Sequence, residues 1–255
     1  MPLPDPDDPA TVVLTQQATQ SPDRIAAEAR DNPSLGTAEA AFWLCRAYLE
    51  TGDAVRASHW LDRARERLES GGGTSRSAEH EWRLPWHSGV LYLARGEVGA
   101  AADEFAATYA LLPGEWAPKP ALGFCSEHSG VTGSLTRDYY EAVWRRSKSQ
   151  GSAALGLARV HLRAGDRVRA LAVLDSATSR HYDVARVAAV RVLAGRIGDV
   201  PATAGQPAEA AQRFGRLGLE QQAAARLAAE ILPGLRLRPR PLARHGERAG
   251  DLDGR

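Results

Sequence analysis

At 255 residues, with 44% hydrophobic residues and a formal net charge of +1, the chain can bury a sizeable core. It carries no global electrostatic case for a nucleic-acid or membrane partner. Two cysteines, Cys45 and Cys125, make neither a disulfide framework nor a metal set, and Cys45 reads as a buried reduced thiol. No apolar run approaches the roughly 18 residues that a membrane-spanning helix needs. The acidic, proline-rich start MPLPDPDDPA is neither a signal peptide nor an anchor, so the cytoplasm is the expected compartment.

Residues 1–22 hold five prolines and several aspartates and read as an extended lead-in. Residues 23–30 make a turn or two of helix, with Ser21 as N-cap and Pro22 at the first helical position. A first repeat then spans about 38–70, followed by a flexible glycine-rich insertion at 71–77. Further repeats read at about 82–115, 116–148 and 151–178, then a degenerate pair over 184–215 and a cap at 219–232. Together 23–232 make one expected repeat domain. The Arg- and Pro-rich stretch 233–255 is expected to be a disordered tail.

The repeat is clearest between Trp82 and Pro120. Gly89 and Tyr92 lie before a turn glycine, Gly96, and Ala101, Phe105 and Pro113 follow it. Gly52 has Leu44, Cys45 and Tyr48 before it and Ala57, Leu61 and Ala64 after it. Gly165 has Leu157, Ala158 and His161 before it and Ala170, Leu174 and Ala177 after it. Gly130 lies 34 residues after Gly96 and 35 before Gly165; this copy is weaker, because Leu135 stands where a small residue is expected. A 34-residue helix–turn–helix period with small residues at the helix contacts is the tetratricopeptide layout. The expected fold is therefore all-α, a TPR-like α-solenoid of antiparallel helix pairs.

The search for chemistry returns no phosphate-cradling, dinucleotide-binding, zincin, nucleophile-elbow or kinase motif. No cofactor, catalytic residue or metal ligand is assigned, and the chain reads as a non-enzyme. Glu79, His80, Glu81 and His87 could be assembled into a metal site, but a solvated helix start after the glycine loop is the preferred reading. The tail arginines could touch phosphate, yet no aromatics interleave with them for stacking.

Several strings resemble the C-terminal tetratricopeptide region of the PknG-type Ser/Thr protein kinases of actinobacteria. They are Pro113-Gly114-Glu115 with Ala117-Pro118-Lys119, Tyr139-Tyr140-Glu141-Ala142-Val143-Trp144, Ser152 to Arg159, Gly165-Asp166-Arg167, and Thr178 to Tyr182. Leu3-Pro4, Asp5-Pro6 and Asp8-Pro9 resemble the segment that leaves the kinase domain in that family. The likeness covers roughly 3–195, and neither a kinase domain nor a rubredoxin-like metal domain has a counterpart. The resemblance implies a non-catalytic regulatory module that scaffolds or dimerises a kinase or its partners. In that family the kinase acts on regulators of central carbon and nitrogen metabolism. The alternative is a truncated or split C-terminal part of such a kinase; a third reading is nucleic-acid contact through the arginine-rich tail.

First-helix positions that stacking does not need are free to line a groove. They include Glu39, Phe42, Arg46 and Leu49, then Arg83, Trp86, Val90 and Leu93, then Ser152, Leu155, Arg159 and Leu162. The candidate partner-binding residues are Phe42, Arg46, Arg83, Trp86, Val90, Leu155 and Arg159: the arginines as carboxylate clamps, the aromatics as anchors. The expected partner is a protein, a Ser/Thr kinase domain or a second copy. A poorly capped C-terminal end is expected to expose Val187, Val190, Ile197, Leu217, Leu219 and Leu227 as an apolar association face.

Overall fold

In the computed structural model, residues 7–17, 19–70, 81–130, 134–178, 182–198 and 201–235 are described. The expected glycine-rich insertion and the arginine-rich stretch from 236 onward lie outside them. Among the described residues there are helices and no strands. The all-α expectation holds, and it holds because of how the turns are built.

Four helix ends carry one motif. Tyr48, Tyr92, His161 and Arg191 accept from the amides of Asp53, Glu97, Asp166 and Arg196, at 2.9, 2.9, 2.8 and 2.9 Å. The intervening Gly52, Gly96, Gly165 and Gly195 sit at φ +80°, +79°, +76° and +67°. That is a Schellman cap, in which glycine accepts the left-handed conformation that a side chain resists. Gly130 shares the conformation at φ +75°. In two cases the next residue starts the following helix: the Asp53 and Asp166 carboxylates accept from the Arg56 and Arg169 amides, each at 2.9 Å. A Gly-Asp dipeptide thus ends one helix and caps the next within three residues, which forces the pair antiparallel.

The chain groups into two compact units, Met1–Val160 and His161–Arg255.

The first unit opens with α1 (Pro9–Gln16) and α2 (Pro22–Glu28), followed by a single 3-10 turn at Pro33–Leu35. The extended lead-in is therefore corrected over 9–16. Asp8 caps α1 by accepting from the Ala10 amide at 2.8 Å, and Pro9 takes the first turn, where its missing N–H costs nothing. Ala10 and Leu14, one turn apart, are 0% and 5% exposed. They join a core with Ile25, Leu35, Leu44, Cys45, Tyr48 and Leu61. The pairs α3 (Ala38–Glu50) with α4 (Ala54–Glu69), α5 (Arg83–Ala94) with α6 (Val98–Leu111), and α7 (Pro118–His128) with α8 (Ser134–Arg146) follow, then α9 (Gly151–Arg163).

Small residues set the approach inside each pair. Ala57 and Ala101 are fully buried. Gly89 faces the Phe105 ring, and a Cβ there would stand 2.7 Å from it. Tyr140 lies against both Gly123 and Gly156, and a Cβ on Gly156 would fall inside its ring contact distance. Cys45 is completely buried, and burial pushes its thiol up to about 12, so it packs as a small apolar group.

The second unit holds α10 (Arg167–Asp175), α11 (Tyr182–Leu193), α12 (Gln206–Gly215) and α13 (Gln221–Leu235). Its C-terminal face differs from expectation. Val190, Leu217 and Leu227 are 0%, 8% and 3% exposed, in a cluster with Leu193, Ala210 and Ile231. Val187 and Leu219 pack at the edge of the same cluster, and Ile197 is half-buried. The four-residue spacing of Leu227 and Ile231 turns one side of α13 onto this cluster, and an Arg191–Glu230 pair at 2.9 Å ties α13 to α11. The face expected to be open is covered by α13.

Candidate functional site

The seven candidate partner-binding residues all lie in the first unit: on α3, α5 and the part of α9 before residue 160. Their environments divide them.

Phe42 is 2% exposed. Its ring stacks on His87 with centroids 5.1 Å apart and planes at 26°, and the Arg83 guanidinium sits 4.9 Å from its centroid on the cation–π side. Phe42 is an internal contact between α3 and α5, which corrects the reading of it as a partner anchor.

Arg83 is held by its own chain. Its Nε and Nη2 donate to the Glu81 carboxylate at 2.6 and 2.7 Å, and Nη1 donates to Glu39 on α3. Glu81 is 4% and Glu39 8% exposed, so two acids and one guanidinium share a nearly dry site. Glu81 therefore does not lie in a solvated helix start, and neither does His87, at 8% exposure. The His87 Nδ1–H donates to the Arg83 carbonyl at 2.8 Å. Burial, reinforced by the Arg83 and Arg46 charges, lowers its pKa to about 4, against the opposing pull of that hydrogen bond. It is a neutral packing ring at physiological pH. Residues 79 and 80 lie outside the described region, and among the described residues no cluster of three metal-ligating side chains occurs.

Arg159 makes the same kind of tie further along. Its Nε and Nη2 donate to the two Glu127 oxygens at 2.8 and 2.9 Å, and the Tyr140 hydroxyl donates to Glu127 at 3.0 Å. The Glu127 side chain is wholly buried, whereas the Arg159 side chain is 39% exposed. Burial and the Glu127 charge raise the Tyr140 pKa, so the phenol stays a donor. α7, α8 and α9 meet at this three-residue lock.

Arg46 is different. Its side chain is 70% exposed and pairs with Glu50, one turn along at 2.8 Å. Trp86 is half-buried against Phe105, ring centroids 5.3 Å apart, and Val90 and Leu93 are half-buried beside it. Leu155 is half-buried on α9. Arg46, Trp86, Val90 and Leu155 thus keep side-chain surface in solvent.

Two residues at the same register went unmarked. Phe124, 34 residues after Val90, is half-buried and stacks on His128 at 4.0 Å. Glu127, 34 residues after Leu93, is the acid that engages Arg159. The repeat period itself was the available signal, and Leu135 in the weaker copy obscured it.

The helix pairs, glycine caps and close small-residue contacts define a tetratricopeptide-type helical repeat. The family model described as the Protein kinase G tetratricopeptide repeat matches residues 1–235, and the chain belongs to that family. It is 34% identical over 209 residues to the serine/threonine-protein kinase PknG of Mycobacterium leprae, a match covering 77% of this chain and 26% of the relative. To PknG of Mycolicibacterium smegmatis it is 34% identical over 154 residues, covering 59% of this chain and 19% of the relative. The chain thus spans about a quarter or less of the length of these relatives. A solved structure of YrrB, a TPR protein with an unusual peptide-binding site, aligns with TM-score 0.46 and 12% identity over 80% of this chain and 97% of its own. Among the described residues no helix is long and apolar enough to cross a membrane.

Proposed function

We propose that this chain is a non-catalytic protein–protein interaction module, cytoplasmic, that scaffolds or dimerises a Ser/Thr kinase or its partners. The observation that carries the reading is the half-buried apolar strip of Trp86 and Val90, one turn apart on α5, with Leu155 half-buried separately on α9. These side chains keep apolar surface in water on a helix set whose family is a kinase-associated repeat. Arg46, the exposed cation of the set, supplies rim charge that steers and orients a partner more than it adds affinity.

The partner fitted to this strip is the kinase domain that the family carries in the same polypeptide, or a second copy of the module. The test is co-purification of the chain with a PknG kinase domain, alongside light scattering of the chain alone over a concentration series. A Trp86→Ala, Leu155→Asp variant should lose either association with its helical circular dichroism retained. Association by neither route, or an unchanged association in the variant, overturns the reading. The chain alone should transfer no phosphate from ATP, because no residue set in it reads as a holder of Mg²⁺ and triphosphate; mutation-sensitive phosphorylation by the purified chain would overturn that part.

A second reading is that the chain is one portion of a longer kinase polypeptide. The relatives favour it, since each carries this region as 26% or less of its length.

A further inference from the structure

Away from those residues, α2, α3 and α4 enclose a cleft of about 730 Å³. Its floor is apolar: Leu35 is buried, and Ala26, Ala29 and the Trp60 indole are half-buried. Its rim is cationic. Arg56, Arg63 and Arg67 line it from α4 and Arg30 from the turn after α2, all exposed, with His59 beside them. The lining includes one carboxylate, Asp23. Asp23 is engaged from within: it accepts from the Tyr48 hydroxyl at 2.8 Å and pairs with Arg56, which Asp53 also holds at 2.6 Å, so the rim cations that face a ligand are Arg30, Arg63 and Arg67. Arg63 leans toward Glu66 at 3.4 Å, a solvent-exposed pair that contributes little and is readily exchanged. A chain of net charge +1 therefore gathers a local surplus of guanidinium around an apolar floor.

The geometry points to a docking cleft for an acidic, extended peptide segment of a partner protein. Positions 56, 60, 63 and 67 recur on one face of α4, and the rise of an α-helix spreads the row over about 16 Å. An extended chain covers that distance in roughly five residues. Alternate side chains of such a segment can reach the arginine rim while the others meet Trp60 and Leu35. Guanidinium favours carboxylate here because its planar fork donates two hydrogen bonds to one group. A single indole without a series of stacking aromatics argues for peptide over single-stranded nucleic acid. The cleft shares no residue with the strip around Trp86 and stands independently of the reading placed there.

The probe is a fluorescein-labelled octapeptide alternating Glu and Leu, titrated into the full chain by fluorescence anisotropy. The expected result is saturable binding that weakens as salt is raised, with no binding by the Gln/Leu counterpart. An Arg63→Glu, Arg67→Glu variant should bind about tenfold more weakly, the effect of reversing two rim charges at a charge-complementary site. Arg30→Glu, in the turn after α2, should weaken binding independently, which keeps the test intact if the double variant fails to fold. Trp86→Ala should leave this binding unchanged, so the cleft and the strip succeed or fail separately. Absence of saturable binding, equal binding of the Gln/Leu peptide, or undiminished binding by all the charge-reversed variants overturns the proposal. Tighter binding of a single-stranded DNA oligomer of equal charge would also overturn it, in favour of a nucleic-acid partner.

Discussion

Arg46 and Arg159 occupy the same position of their repeats, yet their fates diverge. Arg46, on α3, projects into solvent with its side chain 70% exposed and a partner one turn away. Arg159, on α9, closes bidentately on Glu127, whose carboxylate is fully buried. The difference lies in the neighbour: α7 offers a carboxylate where α9 passes, and Tyr140 on α8 supplies a further donor. One arginine is left as surface and the other becomes part of the core. A residue type at a repeat position therefore does not by itself decide between binding and packing; the acid opposite it decides.

The largest effect that would sharpen this contrast comes from Arg159→Ala. It strands the Glu127 charge in the interior, and the expected loss is about 3 kcal/mol, the lower end for an uncompensated buried ion because the guanidinium is itself part-exposed. Arg46→Ala should change stability by no more than about 0.5 kcal/mol, the range of an exposed pair one turn apart. Urea denaturation of the two variants side by side is the measurement, and equal losses would break the comparison.

Gly156→Ala should follow, at about 2 kcal/mol. The added methyl drives against the Tyr140 ring, and overpacking of a filled contact costs of that order. Thermal melting checks it. An unchanged melting midpoint would show that the ring yields to the methyl.

A smaller effect separates the Arg83 site from the Arg159 lock by its pH dependence. The fold keeps His87 neutral down to about pH 4, whereas the unfolded chain takes up a proton near the ordinary imidazole value of about 6.5. Between those values the unfolded state holds the extra proton, so stability falls as pH drops from about 6.5 toward 4 and is fully present above that window. Urea denaturation at a series of pH values across that window is the measurement. His87→Leu should flatten that part of the profile, and an unaltered slope would show that other groups carry it.

The features legible in the sequence were those with local causes. Gly52, Gly96, Gly130 and Gly165 were picked out as turn positions because a helix end needs a residue that accepts positive φ, and each adopts it. Gly195 makes the same cap, although the shorter spacing and the long following loop hid it. Ala57, Ala101 and Ala170 were marked as close contacts and are each fully buried. The lead-in was misread because prolines were weighed as breakers, while Asp8-Pro9 is a cap followed by a first turn.

What the sequence alone determined is the helical repeat, its turn chemistry and its kinship, because these depend on residues within a few positions of one another or on strings read in register. What only the tertiary structure decided is which side chains remain for a partner. Arg83 meets Glu39 across 44 residues and Arg159 meets Glu127 across 32, and α13 covers the cluster around Val190. Such pairings form where helices distant in sequence come within a few ångströms. Removing a charge or an apolar face from water is favourable only where the packed neighbour compensates it.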